Sequence, residues 1–285
     1  MRMSQCSTSQ PTAPPDGAKS GGTPAPPLLT QILTRENWIV GACLLLLCGA
    51  GWWWLLRAAP SMTAAGAIGS MAGMAPMSAG VTPWSLAYLG PSFAMWAIMM
   101  VAMMLPSAAP MILLYSSFAR RSPASARGAT IAFVLSYLLL WVAFAGLTTA
   151  GQAFLIARGL LTRASLVISD RALVALLLAA VALYQLSGLK RLCLSHCRSP
   201  VGFLMRYWRP RIAGAVRMGI AHGLYCLGCC GLLMLLLFAG GVMNLLWVAI
   251  LTLVVVVEKY APREWHLDWL IAAALLVMSG GLLLR

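Results

Sequence analysis

The chain has 285 residues, 61% of them hydrophobic and 9% charged, with a formal charge of +14 and 3 histidines. A soluble domain carries roughly one quarter charged residues, so this composition excludes one and points to a membrane protein. The positive excess belongs to loops that orient membrane helices, and no nucleic-acid partner is expected.

Residues 1–34 are rich in Ser, Thr, Gly and Pro and contain too little apolar material for a core. They read as a disordered cytoplasmic tail ahead of a transmembrane domain over 35–285. Because the first apolar run begins only after this tail, a short cleaved signal peptide does not fit it. Apolar runs that approach or reach the roughly 20 residues needed to cross a bilayer predict an all-α, polytopic helical bundle of about seven spans. The predicted spans are 38–56, 93–115, 129–150, 172–189, 216–238, 242–257 and 267–284. The second could start nearer Trp84 and tilt, and the sixth is short. Arg120, Arg121 and Arg127 follow the second span, and Lys190, Arg191, Arg198, Arg206, Arg209, Arg211 and Arg217 surround the loop after the fourth. Positive loops stay in the cytoplasm, which sets the N-terminus inside and the C-terminus outside a bacterial inner membrane. Arg158, Arg163 and Arg171 on the outer side oppose this assignment but are outnumbered.

In chain order, the first unusual stretch is MAGMAPM, with Met71, Met74 and Met77 in a predicted outer loop. Thioethers are soft ligands that favour Cu(I), and they neither deprotonate nor form disulfides. A flexible apolar loop resting on the membrane accounts for the same residues. The second stretch, MWAIMMVAMMLPSAAPM, places Met95, Met99 and Met103 on one i, i+4 row and Met100 and Met104 on the next. This face can pass a soft cation or simply fill irregular core space. Pro106 and Pro110 free backbone carbonyls towards its cytoplasmic end.

The third and fourth stretches are CLSHC, with Cys193, His196 and Cys197, and HGLYCLGCC, with His222, Cys226, Cys229 and Cys230. Helical spacing sets several of these side chains on one face, and topology brings the two stretches to the same side of the membrane. Five thiols and two imidazoles suit copper first and zinc second, with an iron–sulfur cluster less fitting and finger-like CxxC pairs absent. A thiol–disulfide relay at Cys226 and Cys229 lacks the usual strand–loop–helix context. Of the other intramembrane polar residues, Tyr184, Gln185, Asn244 and Glu258 are expected to face the bundle interior or its ends. Asn244 is read as a tie between helices, and Glu258 with Lys259 as an interfacial pair after the sixth span.

The stretches at 95–111 and 223–234, YQLSGLKRLCLSHCRSP at 184–200, and GVMNLLW followed by EK within 241–259 occur together and in this order. Over roughly 90–280 the chain thereby resembles the predicted metal-binding integral membrane proteins, domain of unknown function family 2182. The resemblance implies metal binding at Met99, Met100, Met103, Met104, Cys193, Cys197, His222, Cys226, Cys229 and Cys230, accompanied by Asn244 and Glu258. Where the family pattern has a proline two positions before the lysine, this chain has Gly188.

The function expected is that of a non-catalytic soft-metal protein, with copper most favoured, which transfers the ion across the membrane or delivers it to a membrane metalloenzyme. Its partners are then the metal ion, membrane lipid, and a metalloenzyme or metal chaperone. No ATP-binding motif accompanies these residues, so directional transfer requires a gradient or a downstream sink. A structural subunit or assembly factor of a membrane enzyme complex is the second expectation, and a membrane oxidoreductase the third.

Overall fold

The computed structural model describes residues 35–64, 82–120, 126–163 and 165–284. The predicted tail and the Met71, Met74 and Met77 loop lie outside the described residues. Long uninterrupted apolar runs leave the backbone no partner but itself, and the described residues form α-helices joined by loops: α1 Arg35–Ala64, α2 Leu86–Ala119, α3 Ala126–Ala157, α4 Arg171–Gln185, α5 Gly188–Arg198, α6 Pro200–Tyr207, α7 Arg211–Leu235, α8 Leu237–Gly240, α9 Leu245–Tyr260 and α10 Leu267–Leu283. Among the described residues, the β-type pairing is an isolated bridge between Leu161 and Ile168 in the α3–α4 loop.

Four helical segments are long and apolar enough to cross a membrane, or five if the bent pair α4–α5 is one span. The protein is therefore a multi-pass helical bundle. The fourth expected span breaks, because Ser187 caps a new helix by accepting from the Lys190 amide at 3.2 Å. α4 and α5 meet there at 63°. Gly188 is the first residue of α5, a position that also accepts proline, and a Cβ there would touch nothing. The substitution of the family's proline thus leaves the turn intact. The sixth and seventh expected spans correspond to α9 and α10, of 16 and 17 residues. At 1.5 Å per residue these reach about 24–26 Å, short of the roughly 30 Å hydrocarbon core. α2, with 34 residues, begins at Leu86, close to the earlier start considered for the second span.

α2, α3 and α7 form the centre, with α1 against α2, α5 against α7, and α10 against α4. Their interior is filled by Trp96, Phe133, Tyr137, Trp141 and the α2 methionines, while Leu45, Leu46, Leu135, Leu139 and Leu246 point outward. An apolar exterior is what a lipid-facing surface requires. Polar contacts fasten the helices at both ends. Asn37 of α1 donates to Ser117 Oγ at 2.8 Å and accepts from Ser116 Oγ at 2.6 Å and from Arg120 at 2.8 Å. At the other end of α2, Trp96 Nε1 donates to Gln152 Oε1 at 2.7 Å, and Gln152 Nε2 donates to the Tyr88 hydroxyl at 2.6 Å.

Candidate metal centre

α2 contributes the methionine face, and the structure turns it inward: Met95, Met99, Met100, Met103 and Met104 are all buried. The prolines have the local consequence expected of them. Pro106 has no amide hydrogen for Ala102, whose carbonyl instead accepts from the Cys48 thiol at 3.5 Å. Pro110 likewise leaves the Pro106 carbonyl free, and the Tyr260 hydroxyl reaches it at 3.5 Å and the adjacent Ser107 carbonyl at 3.3 Å.

α7 presents His222, Cys226, Cys229 and Cys230 to the interior, each 3% exposed or less. The Cys229 and Cys230 thiols donate to the Cys226 carbonyl at 3.1 and 2.8 Å, one turn back along their own helix. α5 lies against this face. Gly228 permits the approach, since a Cβ there would stand 2.6 Å from Cys193 Sγ, and the Tyr184 hydroxyl donates to the Gly228 carbonyl.

Three helices thereby bring sulfur together. Cys197 Sγ of α5 is 3.8 Å from Cys229 Sγ of α7, and Cys230 Sγ is 3.8 Å from Met104 Sδ of α2. Cys226 is buried on the same face of α7 and interacts through its side chain with Cys197, Cys229 and Cys230. Two sulfurs each about 2.3 Å from one ion at a tetrahedral angle are separated by about 3.8 Å, a spacing that ordinary packing contact also gives, so these pairs could share a metal without much movement. His222 sits among Phe133, Tyr137 and Phe203, with ring centroids 5.5–6.1 Å away. Both its nitrogens are buried without a hydrogen-bond partner. An orphaned imidazole is costly unless something accepts its lone pair or proton, so His222 is suited to a ligand the protein atoms do not supply.

Other expected site residues are placed apart. His196 stacks face to face on Tyr225 at 4.1 Å, with Nδ1 2.9 Å from the Leu192 carbonyl, on the rim rather than among the thiols. Met95, Met99, Met100 and Met103 are buried along α2, and Met104 is the one in sulfur contact with a cysteine. Among the described residues, no group of three or more His, Cys, Asp and Glu side chains is arranged to hold a metal ion. The donors therefore stand as neighbouring pairs, one of them completed by a thioether, rather than as a closed tetrahedral cage.

Two polar features correct the expectations drawn for the end of the sixth span. Glu258 and Lys259 do not pair with each other. Glu258 receives Lys190 Nζ at 2.8 Å on both carboxylate oxygens and Gln185 Nε2 at 2.9 Å, while Gln185 Oε1 accepts from Lys190. Lys259 turns the other way, into the sulfur centre, with Nζ 3.0 Å from Cys226 Sγ and 2.8 Å from Ser107 Oγ. Consecutive helical residues point about 100° apart, which separates the two heads. Tyr137 completes the surroundings, its hydroxyl 3.3 Å from Cys226 Sγ and from the Met104 carbonyl. Lys259, Tyr137 and Ser107 were not identified as site residues from the sequence. A lysine closing an apolar run has the same local signature as one reaching for the membrane surface. Asn244 acts at the junction of two helices: its side-chain oxygen caps α9 by accepting from the Trp247 amide at 3.3 Å, and its side-chain nitrogen donates to the Gly240 carbonyl at the end of α8 at 3.5 Å.

A multi-pass helical bundle with a buried centre of thiols, a thioether, an imidazole and an ammonium defines the class of this protein: membrane-embedded, with soft-ligand side chains in its interior. Residues 93–282 match the PpoB2 family, described as a copper chaperone, and the chain belongs to that family. The match names this family and not the domain-of-unknown-function designation of the sequence resemblance, and a chaperone family is a non-catalytic one. No curated protein and no solved structure matches the chain significantly.

Proposed function

We infer that the protein carries Cu(I) within the bacterial inner membrane and passes it to a membrane metalloenzyme or to the outer face. The observation that supports this most directly is the convergence of Cys197, Cys226, Cys229, Cys230 and Met104 from three helices, at sulfur–sulfur distances of 3.8 Å for the two cross-helix pairs. Thiolate and thioether together select Cu(I) over harder ions. Donors in pairs suit a cargo that must leave, since Cu(I) is held by few ligands and can step from one pair to the next. Zinc prefers four ligands at once and is the second candidate. His222, with both nitrogens unpartnered, stands beside this route as an additional donor.

Within this reading, Cys193 and Cys197 lie on the cytoplasmic side, because α5 itself carries Lys190, Arg191 and Arg198 and leads into Arg206, Arg209 and Arg211, and the N-terminus is cytoplasmic. His196 on the rim is a point of first contact. The α2 methionines Met95, Met99, Met100 and Met103 and the loop methionines Met71, Met74 and Met77 act as weaker sites on the way out. The exchange breaks one metal–sulfur bond as it forms another and leaves the oxidation state of copper unchanged, and a thiolate that loses the ion takes back a proton from water or from the incoming thiol.

The test is elemental analysis and X-ray absorption on anaerobically purified, full-length protein. Copper with sulfur neighbours, lost when Cys226, Cys229 and Cys230 are changed together to serine, is the expected result. Equal metal content in the wild type and that variant would overturn the assignment.

A further inference from the structure

Lys259 is 5% exposed, and the neighbouring carboxylate, Glu258, is occupied by Lys190. The Lys259 ammonium stands 3.0 Å from Cys226 Sγ and 2.8 Å from Ser107 Oγ, and the Tyr137 hydroxyl meets the same sulfur at 3.3 Å; Cys197, Cys229, Cys230, His222 and Tyr260 are the other titratable groups in electrostatic reach. A buried ammonium is stable only beside compensating negative charge, and here sulfur stands where a carboxylate would be expected. We propose that Lys259 sets the charge selectivity of the sulfur centre, favouring a monovalent soft cation and disfavouring a divalent one. The inference rests on the copper reading above and adds to it the residue that decides between ion charges.

The reasoning is electrostatic. Two thiolates and one ammonium carry a net charge of −1, which a monovalent ion cancels. A divalent ion on the same two thiolates leaves +1 in a bundle interior with little water to solvate it. The difference acts at short range. An ion bound about 2.3 Å from Cys226 Sγ lies within about 5 Å of Nζ, because Nζ itself is 3.0 Å from that sulfur. At an effective dielectric of about 20, the second unit of metal charge then costs on the order of a hundredfold in affinity. The sulfur ligands alone turn away hard ions but not zinc, which also binds thiolate. Ser107 holds the ammonium in place from the opposite side at 2.8 Å.

The experiment compares the full-length wild type with Lys259→Met and Lys259→Arg, purified anaerobically, measuring Cu(I) affinity by chelator competition and Zn(II) affinity in the same buffer. Lys259→Met is expected to raise Zn(II) affinity relative to Cu(I) by about a hundredfold, and Lys259→Arg to keep the wild-type ratio. Lys259→Gln, which retains a polar contact for Ser107, replaces the methionine variant if that one does not fold. A wild type that binds Cu(I) normally together with an unchanged ratio in the neutral variants overturns this inference alone. A wild type that binds neither ion overturns the copper reading and this inference with it.

Discussion

Removing the Glu258 carboxylate should destabilise the bundle more than most single substitutions at its surface, and the structure sets the size of the effect. The side chains of Lys190 and Glu258 are 1% and 3% exposed, and both carboxylate oxygens are 2.8 Å from Nζ. Glu258→Ala leaves an uncompensated ammonium in the interior, a loss of about 3–5 kcal/mol. For a domain of roughly this size each kcal/mol corresponds to about 2–4 °C in Tm, which predicts a fall of about 6–20 °C. The consequence extends to the sulfur centre. The pair joins the start of α5, which carries Cys193 and Cys197, to the end of α9, which carries Lys259, and Arg198 reinforces it by donating from Nε to the Glu258 carbonyl at 2.8 Å. The assay is thermal unfolding in detergent, with the double variant Lys190→Met, Glu258→Met as control. Replacing both charges by apolar groups is often neutral or stabilising, so the double variant should recover most of the loss. A single variant within about 1 kcal/mol of the wild type, or a double variant as unstable as the single, would refute the assignment of this pair as a desolvated ion pair.

Gly228→Ala offers a test in which two effects have opposite signs. Helix propensity alone favours alanine by about 1 kcal/mol, but the new Cβ meets Cys193 Sγ at 2.6 Å, so a net loss of about 1–2 kcal/mol is expected in chemical denaturation. Adding Cys193→Ala should restore stability, and a stabilising Gly228→Ala would show that α5 does not approach so closely. The 3.8 Å separation of Cys197 and Cys229 predicts a cross-link between α5 and α7 when the protein is treated with diamide. The two thiols lose two electrons and two protons to the reagent, and peptide mass spectrometry should identify the Cys197–Cys229 bond, abolished in Cys229→Ser. Preferential linkage of Cys193 to Cys230 instead would contradict the arrangement of these helices.

Much of the local architecture was legible in the residues alone. Apolar runs of more than 20 residues leave the backbone few alternatives to a helix, which is why α2, α3 and α7 lie where hydropathy places them. The inward faces of α2 and α7 follow from i, i+4 spacing, a relation within one helix, so the clustering of Met100 with Met104 and of His222 with Cys226 and Cys230 needed no tertiary information. The α4–α5 break had a signal as well, Ser187 ahead of the Lys190 amide, but the continuous apolar character around it outweighed a single capping residue.

The sequence by itself thus determined that this chain is a helical membrane protein and which residues carry soft-ligand chemistry, because both properties are written in composition and in spacings of a few residues. The partners of those residues were decided only by the tertiary structure. Glu258 meets Lys190 across 68 positions, Lys259 meets Cys226 across 33, and Met104 meets Cys230 across 126. Contacts at such separations depend on how helices pack and turn about their axes. Glu258 and Lys259, adjacent in the chain and opposite in charge, look from sequence like a pair with each other. The helix rotates them apart, and one becomes a structural anchor while the other faces the thiols.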